Sequence, residues 1–189
     1  MARMASMALV LAALALAGCA TTTVTGGKTP AQKRAEIDRM ARDTLDRLFE
    51  QNPPARTLYD KAYGWAVFDN LKLSLFLSGG GGAGVAVEKP TGRRIYMRMA
   101  TAGVNIGLGG QKYQVVFLFQ DRHTFENFVE IGLKAEAQAN AVAGKTGVNA
   151  ATGFTNGMAV YQLTEAGLML QADISGTRYW PWDELNQHP

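Results

Sequence analysis

The sequence predicts a single α+β, β-rich domain: a curved, mostly antiparallel sheet or barrel-like core, with an N-terminal amphipathic helix and one mid-chain helix. A chain of 189 residues that is 47% hydrophobic is long enough for one core and too short for two comfortable ones. Apolar residues recur at helical spacing in two main segments and alternate with polar residues in several others. The 21 glycines are spread without a period, which is typical of turns, bulges and tightly packed strands.

Residues 1–18 have the features of a bacterial signal peptide. Arg3 supplies the positive charge, and the apolar run at residues 8–17 is too short to span a bilayer as a helix. The run ends in Leu16-Ala17-Gly18-Cys19, which resembles the lipobox of bacterial lipoproteins, whose cysteine is acylated. We therefore expect acyl chains on Cys19; the alternative is an ordinary secretory signal and a buried free cysteine.

Lipidation of Cys19 predicts the location of the protein and how it is held. In the lipoprotein class, an Asp after the cysteine usually signals retention in the inner membrane, and Ala20 stands at that position. We expect the outer membrane, at its periplasmic face, with surface exposure as the alternative. Because Cys19 is the only cysteine, the exported domain folds without disulfides. Residues 19–29 are rich in Thr and Gly and form a tether that spans ~15–20 Å.

The charge of the mature chain argues against nucleic acid as a partner. Nineteen basic side chains less Arg3 leave 18, against 16 acidic ones, so the net charge is +2. A nucleic-acid-binding domain is far more basic and interleaves its basic runs with aromatic residues, which this chain does not do.

An amphipathic helix is predicted over residues 30–52. Thr29 can cap it, Pro30 suits its first position, and Gln32 completes a capping box. The apolar residues at helical spacing are Ile37, Met40, Ala41, Leu45 and Leu48. Acidic and basic side chains are nearly balanced along the helix, so packing on the domain is favoured over lying on a membrane.

The β-rich domain is assigned to residues 55–189. It begins with a short helical stretch at residues 55–61, after which the apolar period changes to two. Residues 71–77 alternate leucine with other residues, which predicts one half-buried strand. A second strand ends at Glu88, where a turn rich in Pro and Gly at residues 89–92 leads the chain back.

Further elements follow along the chain to its end. Residues 135–143 carry alanine at every second position, which favours a strand with a small-residue face, although their composition favours helix. The other predicted elements are a strand at residues 93–100, a central strand at 112–120, a helix at 121–132, a closing hairpin around residues 164–167, and an exposed aromatic tail at 179–182.

Gly79, Gly81 and Gly84 match the dinucleotide-binding pattern G-x-G-x-x-G. In such sites the glycines open a helix whose N-terminus holds the pyrophosphate. Here a β-branched run follows and Pro90 ends it, so no helix fits and we expect no nucleotide partner. The glycines are predicted instead to form a tight turn or to let two backbones approach closely. Residues 144–146 resemble the last three positions of a Walker A motif, but the glycine that the motif requires before them is missing.

Candidate catalytic and metal-binding residues are few. The two histidines are His123 and His188, and no G-x-S-x-G motif accompanies them. Metal sites need clustered His, Cys or carboxylates, and the sequence contains no such motif. Asp69, Glu88 and Asp173 could meet in space, but no pattern indicates that they do. We therefore predict a protein that is not an enzyme and that takes no metal or cofactor.

Basic and aromatic residues on the predicted strands suggest a headgroup-binding surface. Alternation places Arg94, Tyr96 and Arg98 on one face of their strand. Guanidinium groups bind phosphate through a fork of donors, and aromatic rings favour the membrane interface. The alternative is the ordinary solvated face of an antiparallel sheet. The full candidate set is Lys72, Arg93, Arg94, Tyr96, Arg98 and Lys112.

The organisation of residues 60–180 resembles the SYLF domain, a lipid-binding module of bacterial lipoproteins and eukaryotic membrane-associated proteins. The segments that carry the resemblance are KAYGWAVFDNL, GGGGAGVAV, AGVNIGLGGQKYQVVFLF and GMAVYQLTEAGLMLQADISGTRY. Two positions depart from the pattern: Tyr63 stands where many members have Lys, and Asp69 where many have Pro. The resemblance implies binding of phospholipid or anionic headgroups by a β-rich domain.

These observations predict a non-catalytic, membrane-anchored lipoprotein whose partners are membrane phospholipids. An alternative is a structural protein of the envelope that binds another protein or peptidoglycan through its aromatic tail and small-residue strands.

Overall fold

The computed structural model describes residues 27–75, 77–103, 108–131, 153–164, 167–169 and 177–187. In these residues, four helices flank a seven-stranded sheet. The helices are α1 (Pro30–Gln51), α2 (Pro53–Lys61), α3 (Arg122–Ile131) and α4 (Asp183–Asn186). The strands are β1 (Gly64–Leu75), β2 (Leu77–Glu88), β3 (Arg94–Gly103), β4 (Leu108–Phe119), β5 (Met158–Thr164), β6 (Gly167–Met169) and β7 (Thr177–Pro181).

The strand order is β6-β5-β4-β1-β2-β3-β7, and every neighbouring pair is antiparallel. Within the described residues β6 and β7 are the two edges, so the sheet is open and not a closed barrel. The predicted α+β class is confirmed, and of the two predicted core shapes the structure has the curved sheet. β4 lies inside the sheet, as its nearly continuous apolar sequence predicted.

The N-terminal helix begins and ends where its sequence indicated. The Thr29 hydroxyl accepts from the Gln32 amide at 3.2 Å, and the Gln32 side chain accepts from the Thr29 amide at 2.9 Å, which is the predicted capping box. The apolar side of α1 packs on the sheet and does not face solvent, since Ile37, Ala41 and Leu48 are buried in the core beneath it. No helix in the described residues has both the length and the apolar character needed to cross a bilayer.

The sheet carries helices on both faces. We call them the α1 side, covered by α1, α2 and α4, and the α3 side, covered by α3. Alternation along β1 divides its buried residues between them: Trp65 and Val67 face the α1 side, and Ala66 and Phe68 face the α3 side. The described middle of the sheet is therefore buried on both faces.

The prediction of one strand over residues 71–77 is wrong, because the chain reverses inside it. β1 begins at Gly64 and ends at Leu75, and β2 begins at Leu77 and runs back along it. Leu75 pairs with Leu77, so the reversal is very tight. A period of two continues unchanged through such a hairpin, so alternation alone could not reveal the turn.

The glycine run is part of β2 and forms no turn, which leaves the second alternative, close approach of two backbones. A Cβ atom at Gly82 would overlap the carbonyl oxygen of Asp69, and one at Gly84 would overlap that of Val67. Both clashes are with the backbone of the neighbouring β1, which cannot move without breaking the pairing. A strand occupies the place where a dinucleotide fingerprint requires a helix.

The segment predicted as an aromatic tail is part of the sheet. Tyr179 and Trp180 lie in β7, which pairs with β3, and Trp182 occupies the N-cap position of α4. Further predictions fall outside the described residues: the signal peptide and Cys19, the strand at residues 135–143, residues 144–146, Asp173 and His188.

Candidate functional site

Strand β3 places its basic and aromatic residues on the α1 side of the sheet. Arg94, Tyr96 and Arg98 alternate with Ile95, Met97 and Met99, which pack into the core on the α3 side. Their common face is not an open solvated one, because α1 and α4 cover its first half. Tyr96 is buried, whereas Arg94 and Arg98 are exposed.

Asp38 on α1 holds the first half of this face together. Its carboxylate accepts from Arg94 Nη1 at 2.8 Å and from the Tyr96 hydroxyl at 3.2 Å. Burial, followed by the nearby Asp38 charge, raises the pKa of Tyr96 above its ordinary value. The phenol therefore stays protonated and donates to Asp38 at physiological pH.

An open groove crosses the edge of β3 where β7 ends. It has a volume of about 600 Å³, and Arg34, Arg93 and Arg94 supply its cationic groups. We call it the arginine groove. Its remaining walls are formed by Gly92, Ile95, Tyr96, Val129, Pro181, Asp183, Leu185, Asn186 and Gln187.

Helix α4 closes one end of the arginine groove by capping the backbone of β3. Asn186 Oδ1 accepts from the Tyr96 amide at 2.9 Å, and Asn186 Nδ2 donates to the Tyr96 carbonyl at 2.8 Å. The Trp182 amide donates to the same carbonyl at 2.8 Å. The Asn186 side chain thus pairs with the backbone amide and carbonyl of Tyr96, which an extension of β7 would otherwise bind.

Each arginine of the groove is held by a single hydrogen bond within the described residues. Arg34 Nη1 donates to the Leu185 carbonyl at 3.1 Å, Arg93 Nε donates to Glu88 at 3.0 Å, and Arg94 Nη1 donates to Asp38. A guanidinium has five N–H donors in a fixed fork, so each keeps further donors for a ligand. The groove can therefore present several directed N–H groups to an anion.

Glu88 fixes the turn that carries Arg93. It is buried and accepts from the Thr91 hydroxyl at 2.6 Å, from the Tyr63 hydroxyl and from Arg93 Nε. These hydrogen bonds, with that from Thr91 foremost, lower the pKa of Glu88 to about 2. With its Oε atoms bonded to three donors, Glu88 is a structural anchor of the β2–β3 turn.

Arg98 belongs to a second surface next to the groove. Its guanidinium lies 4.1 Å from the centre of the Trp182 ring, and Lys33 Nζ lies 5.3 Å from the same ring. Arg98 is directly opposite Trp180 in the β3–β7 register, and Arg178 follows on the same face two residues away. We call Lys33, Arg98, Arg178, Trp180 and Trp182 the tryptophan patch.

The two remaining predicted residues lie elsewhere in the sheet. Lys112 is exposed on β4, on the α1 side but three strands from β3, which is about 14 Å at the usual spacing. Lys72 pairs with Gly80 and Gln111, and its side chain lies outside the described residues. The six candidates therefore do not form one cluster: Arg93, Arg94 and Tyr96 line the groove, and Arg98 lies in the patch.

Other predicted polar residues have local partners. His123 is exposed at the start of α3, and its Nε2 lies 2.9 Å from the Asn127 amide nitrogen. Asp69, which departs from the SYLF pattern, is exposed and accepts from Gln114 at 2.8 Å. It forms no set with Glu88, because Glu88 pairs with Gly64 at the end of the β1–β2 ladder and Asp69 lies five residues further along β1, which is about 17 Å at the usual rise.

Sequence reasoning missed Arg34, Asn186 and Arg178. The first two reach the groove only because α1 and α4 dock there, which no local pattern indicates. Arg178 did carry a signal, since Arg178, Trp180 and Trp182 recur at a period of two. The prediction of an aromatic tail at residues 179–182 did not include Arg178 and so missed that period.

No family model matches the chain, so the SYLF resemblance stays a prediction. The chain is 47% identical over 160 residues to a protein of Aeromonas veronii named Beta cell expansion factor A. The match covers 85% of this chain and 61% of that protein, so the chain spans less than two thirds of its relative. The relative's name describes an effect on a cell type and mentions no ligand or reaction.

Proposed function

We propose that this protein is a non-catalytic, membrane-anchored lipoprotein that binds anionic phospholipid headgroups with the arginine groove at the β3 edge of its sheet and with the neighbouring α1 side. The observation that carries the proposal is the arginine groove. Arginines from α1, the β2–β3 turn and β3 line it, and each guanidinium keeps N–H donors that the protein does not use within the described residues. Directed donors of this kind suit the oxygens of a phosphate.

The groove recognises an anion by geometry more than by net charge. Asp38, Glu88 and Asp183 lie on or beside the three arginines, so the local charges nearly cancel. The two ion pairs still hold the guanidinium groups of Arg93 and Arg94 in position, while the side chains remain 50% and 44% exposed. A ligand that enters finds donors that are already oriented, which reduces the entropy lost on binding.

Lipid binding by the domain adds to the predicted acyl anchor. Each buried CH₂ contributes about 0.8 kcal/mol, so two or more chains on Cys19 suffice for attachment. The headgroup contact then serves to orient the domain on its own leaflet, to contact a second membrane or to hold a single lipid.

Vesicle sedimentation tests the proposal with purified protein that begins at Ala20 and so keeps every described residue. We expect the protein to pellet with vesicles containing phosphatidylglycerol, to pellet less at high salt, and to stay in solution with phosphatidylcholine alone. Arg34→Gln combined with Arg93→Gln should reduce pelleting several-fold. Arg56→Gln, which removes one half of an exposed pair with Asp60 on α2, is the control and should leave pelleting unchanged. Indifference of the wild-type protein to anionic vesicles would refute the proposal.

A second candidate is binding to another envelope protein or to peptidoglycan. The observation that favours it is Trp180, which is exposed on β7, an edge strand among the described residues, where another chain could pair. Crosslinking in intact cells separates the two candidates, because a dominant protein or glycan adduct with no lipid adduct supports only the second.

A further inference from the structure

The tryptophan patch exposes an apolar ring beside an excess of cations. Trp180 is 39% exposed, and among the described residues it is the one large hydrophobic side chain that is exposed. Arg98 and Arg178 are also exposed, and neither forms an ion pair within the described residues. Asp183 and Glu184 follow Trp182 on α4, and Glu184 pairs with Lys33 at 2.8 Å and accepts from Trp182 Nε1 at 3.3 Å. The patch as a whole is therefore cationic.

An exposed tryptophan beside arginines is typical of a surface that contacts a membrane. Tryptophan concentrates at membrane interfaces, where its ring lies at headgroup level and its N–H stays hydrated. Arginine beside it can lay its alkyl chain on the apolar zone while its guanidinium reaches phosphate. The packing of the domain itself requires neither an exposed tryptophan nor adjacent arginines at the edge of the sheet.

The position of the patch relative to the chain's N-terminus points to the same surface. Lys33 contacts both Glu184 and the Trp182 ring, and it lies one helical turn after the cap residue Thr29. Four residues of helix rise about 6 Å, so the chain enters α1 at the border of the patch. The predicted lipidated Cys19 precedes Thr29 by only ten residues, which span ~15–20 Å as a flexible coil. A tether of that length would hold this corner of the domain close to the bilayer.

We infer that the tryptophan patch is the membrane-contact surface of the domain, and that Trp180 inserts into the headgroup region of an anionic bilayer. This inference rests on the proposed function and specifies its orientation. The edge strand β7 and helix α4 then face the lipid, and the arginine groove opens beside them at the level of the phosphates.

Depth-dependent quenching of tryptophan fluorescence tests this orientation. The protein from Ala20 onward is mixed with phosphatidylglycerol-containing vesicles that carry quenchers at shallow or deep acyl positions. The chain has three tryptophans, and Trp65 is buried in the core, so it serves as an internal reference. We expect shallow quenchers to reduce the emission, bound vesicles to protect it from aqueous acrylamide, and Trp180→Phe to abolish most of both effects.

Binding of charge-matched variants supplies the second measurement. Arg178→Gln removes a cation from the patch, whereas Arg122→Gln removes one from α3 on the opposite side of the sheet. We expect about fivefold weaker vesicle binding for Arg178→Gln and no change for Arg122→Gln.

The outcomes separate this inference from the proposed function. If the protein binds anionic vesicles while Trp180 stays open to acrylamide, the orientation is wrong and lipid binding stands. If the protein binds no vesicles at all, both fail together. A protein adduct at Trp180 in cells, with no protection by vesicles, would assign the patch to a protein partner instead.

Discussion

The two sides of the sheet are built from different chemistry. The α3 side is an aromatic core in which Phe68, Phe117, Phe119, Phe128 and Tyr179 pack with ring centroids 4.7–6.3 Å apart. The buried Glu88 lies at one end of that side, since alternation puts it on the same face as Ala86 and its partner Tyr63 packs against the aromatic cluster. On the α1 side, a mixed aliphatic and aromatic cluster is bordered by the Asp38–Arg94 ion pair and by Arg34.

The contrast separates stability from recognition. Aromatic rings bury large areas and gain from edge-to-face contacts, so the α3 side supplies much of the stability. Charged groups at the margin of a core add little stability, because the cost of desolvation offsets their attraction. Under the proposed function they serve a ligand, so changes to the aromatic core should alter stability and changes to the arginines should alter vesicle binding.

Removing an aromatic ring from the α3 side should have the largest effect. Phe117 is fully buried and contacts several other rings, so Phe117→Ala should lower the free energy of unfolding by about 3–5 kcal/mol. Urea denaturation followed by circular dichroism measures the loss. The folded fraction should bind anionic vesicles as the wild type does. A loss below about 1 kcal/mol would show that the α3 side does not dominate stability.

Acid should weaken the anchor of the β2–β3 turn. Hydrogen bonds hold the pKa of Glu88 at about 2 in the folded protein, below its value of 4.5 in an ordinary setting. A carboxylate whose pKa is lower in the folded state than in the unfolded state stabilises the fold at pH values above its unfolded pKa. This contribution is lost as pH falls from about 4.5 towards 2. Glu88→Gln should cost about 1–3 kcal/mol at neutral pH.

The pH dependence distinguishes this effect from general acid unfolding. The difference in unfolding free energy between wild type and Glu88→Gln should shrink as pH falls through that window, because other carboxylates titrate equally in both proteins. A difference that stays constant from pH 7 to pH 3 would contradict the role assigned to Glu88.

Removing a hydroxyl from the α1 side should have a smaller effect on stability. Tyr96→Phe deletes the hydrogen bond to Asp38, which is partly exposed and keeps its pair with Arg94, so we expect a loss of about 1 kcal/mol. Thermal unfolding measures the change. A loss comparable to that of Phe117→Ala would show that the two sides do not differ in the way described.

Much of the fold could be predicted from local patterns. The cap at Thr29, the stop before Pro53 and the turn at residues 89–92 depend on neighbouring residues alone, and all three are present. The reversal between Leu75 and Leu77 could not be predicted, because alternation is the same before and after a tight hairpin.

The candidate site was harder to predict than the fold. Alternation correctly placed Arg94, Tyr96 and Arg98 on one face, but local sequence says nothing about which helix will cover it. Asp38 lies 56 residues before Arg94 in the chain, and Asn186 lies 90 residues after Tyr96. Contacts at such separations are set by how the helices pack on the sheet, so the division into a groove and a patch required the structure.

The most direct test of the central claim is one charge change made separately on each side of the sheet. Arg98→Gln alters the α1 side, and Arg122→Gln makes the same change on the α3 side; the dissociation constant for phosphatidylglycerol-containing vesicles is measured for both. We predict about fivefold weaker binding for Arg98→Gln and wild-type binding for Arg122→Gln. Equal weakening by both changes would show that only net charge matters, and weakening by Arg122→Gln alone would place the lipid on the α3 side; either result would contradict the account.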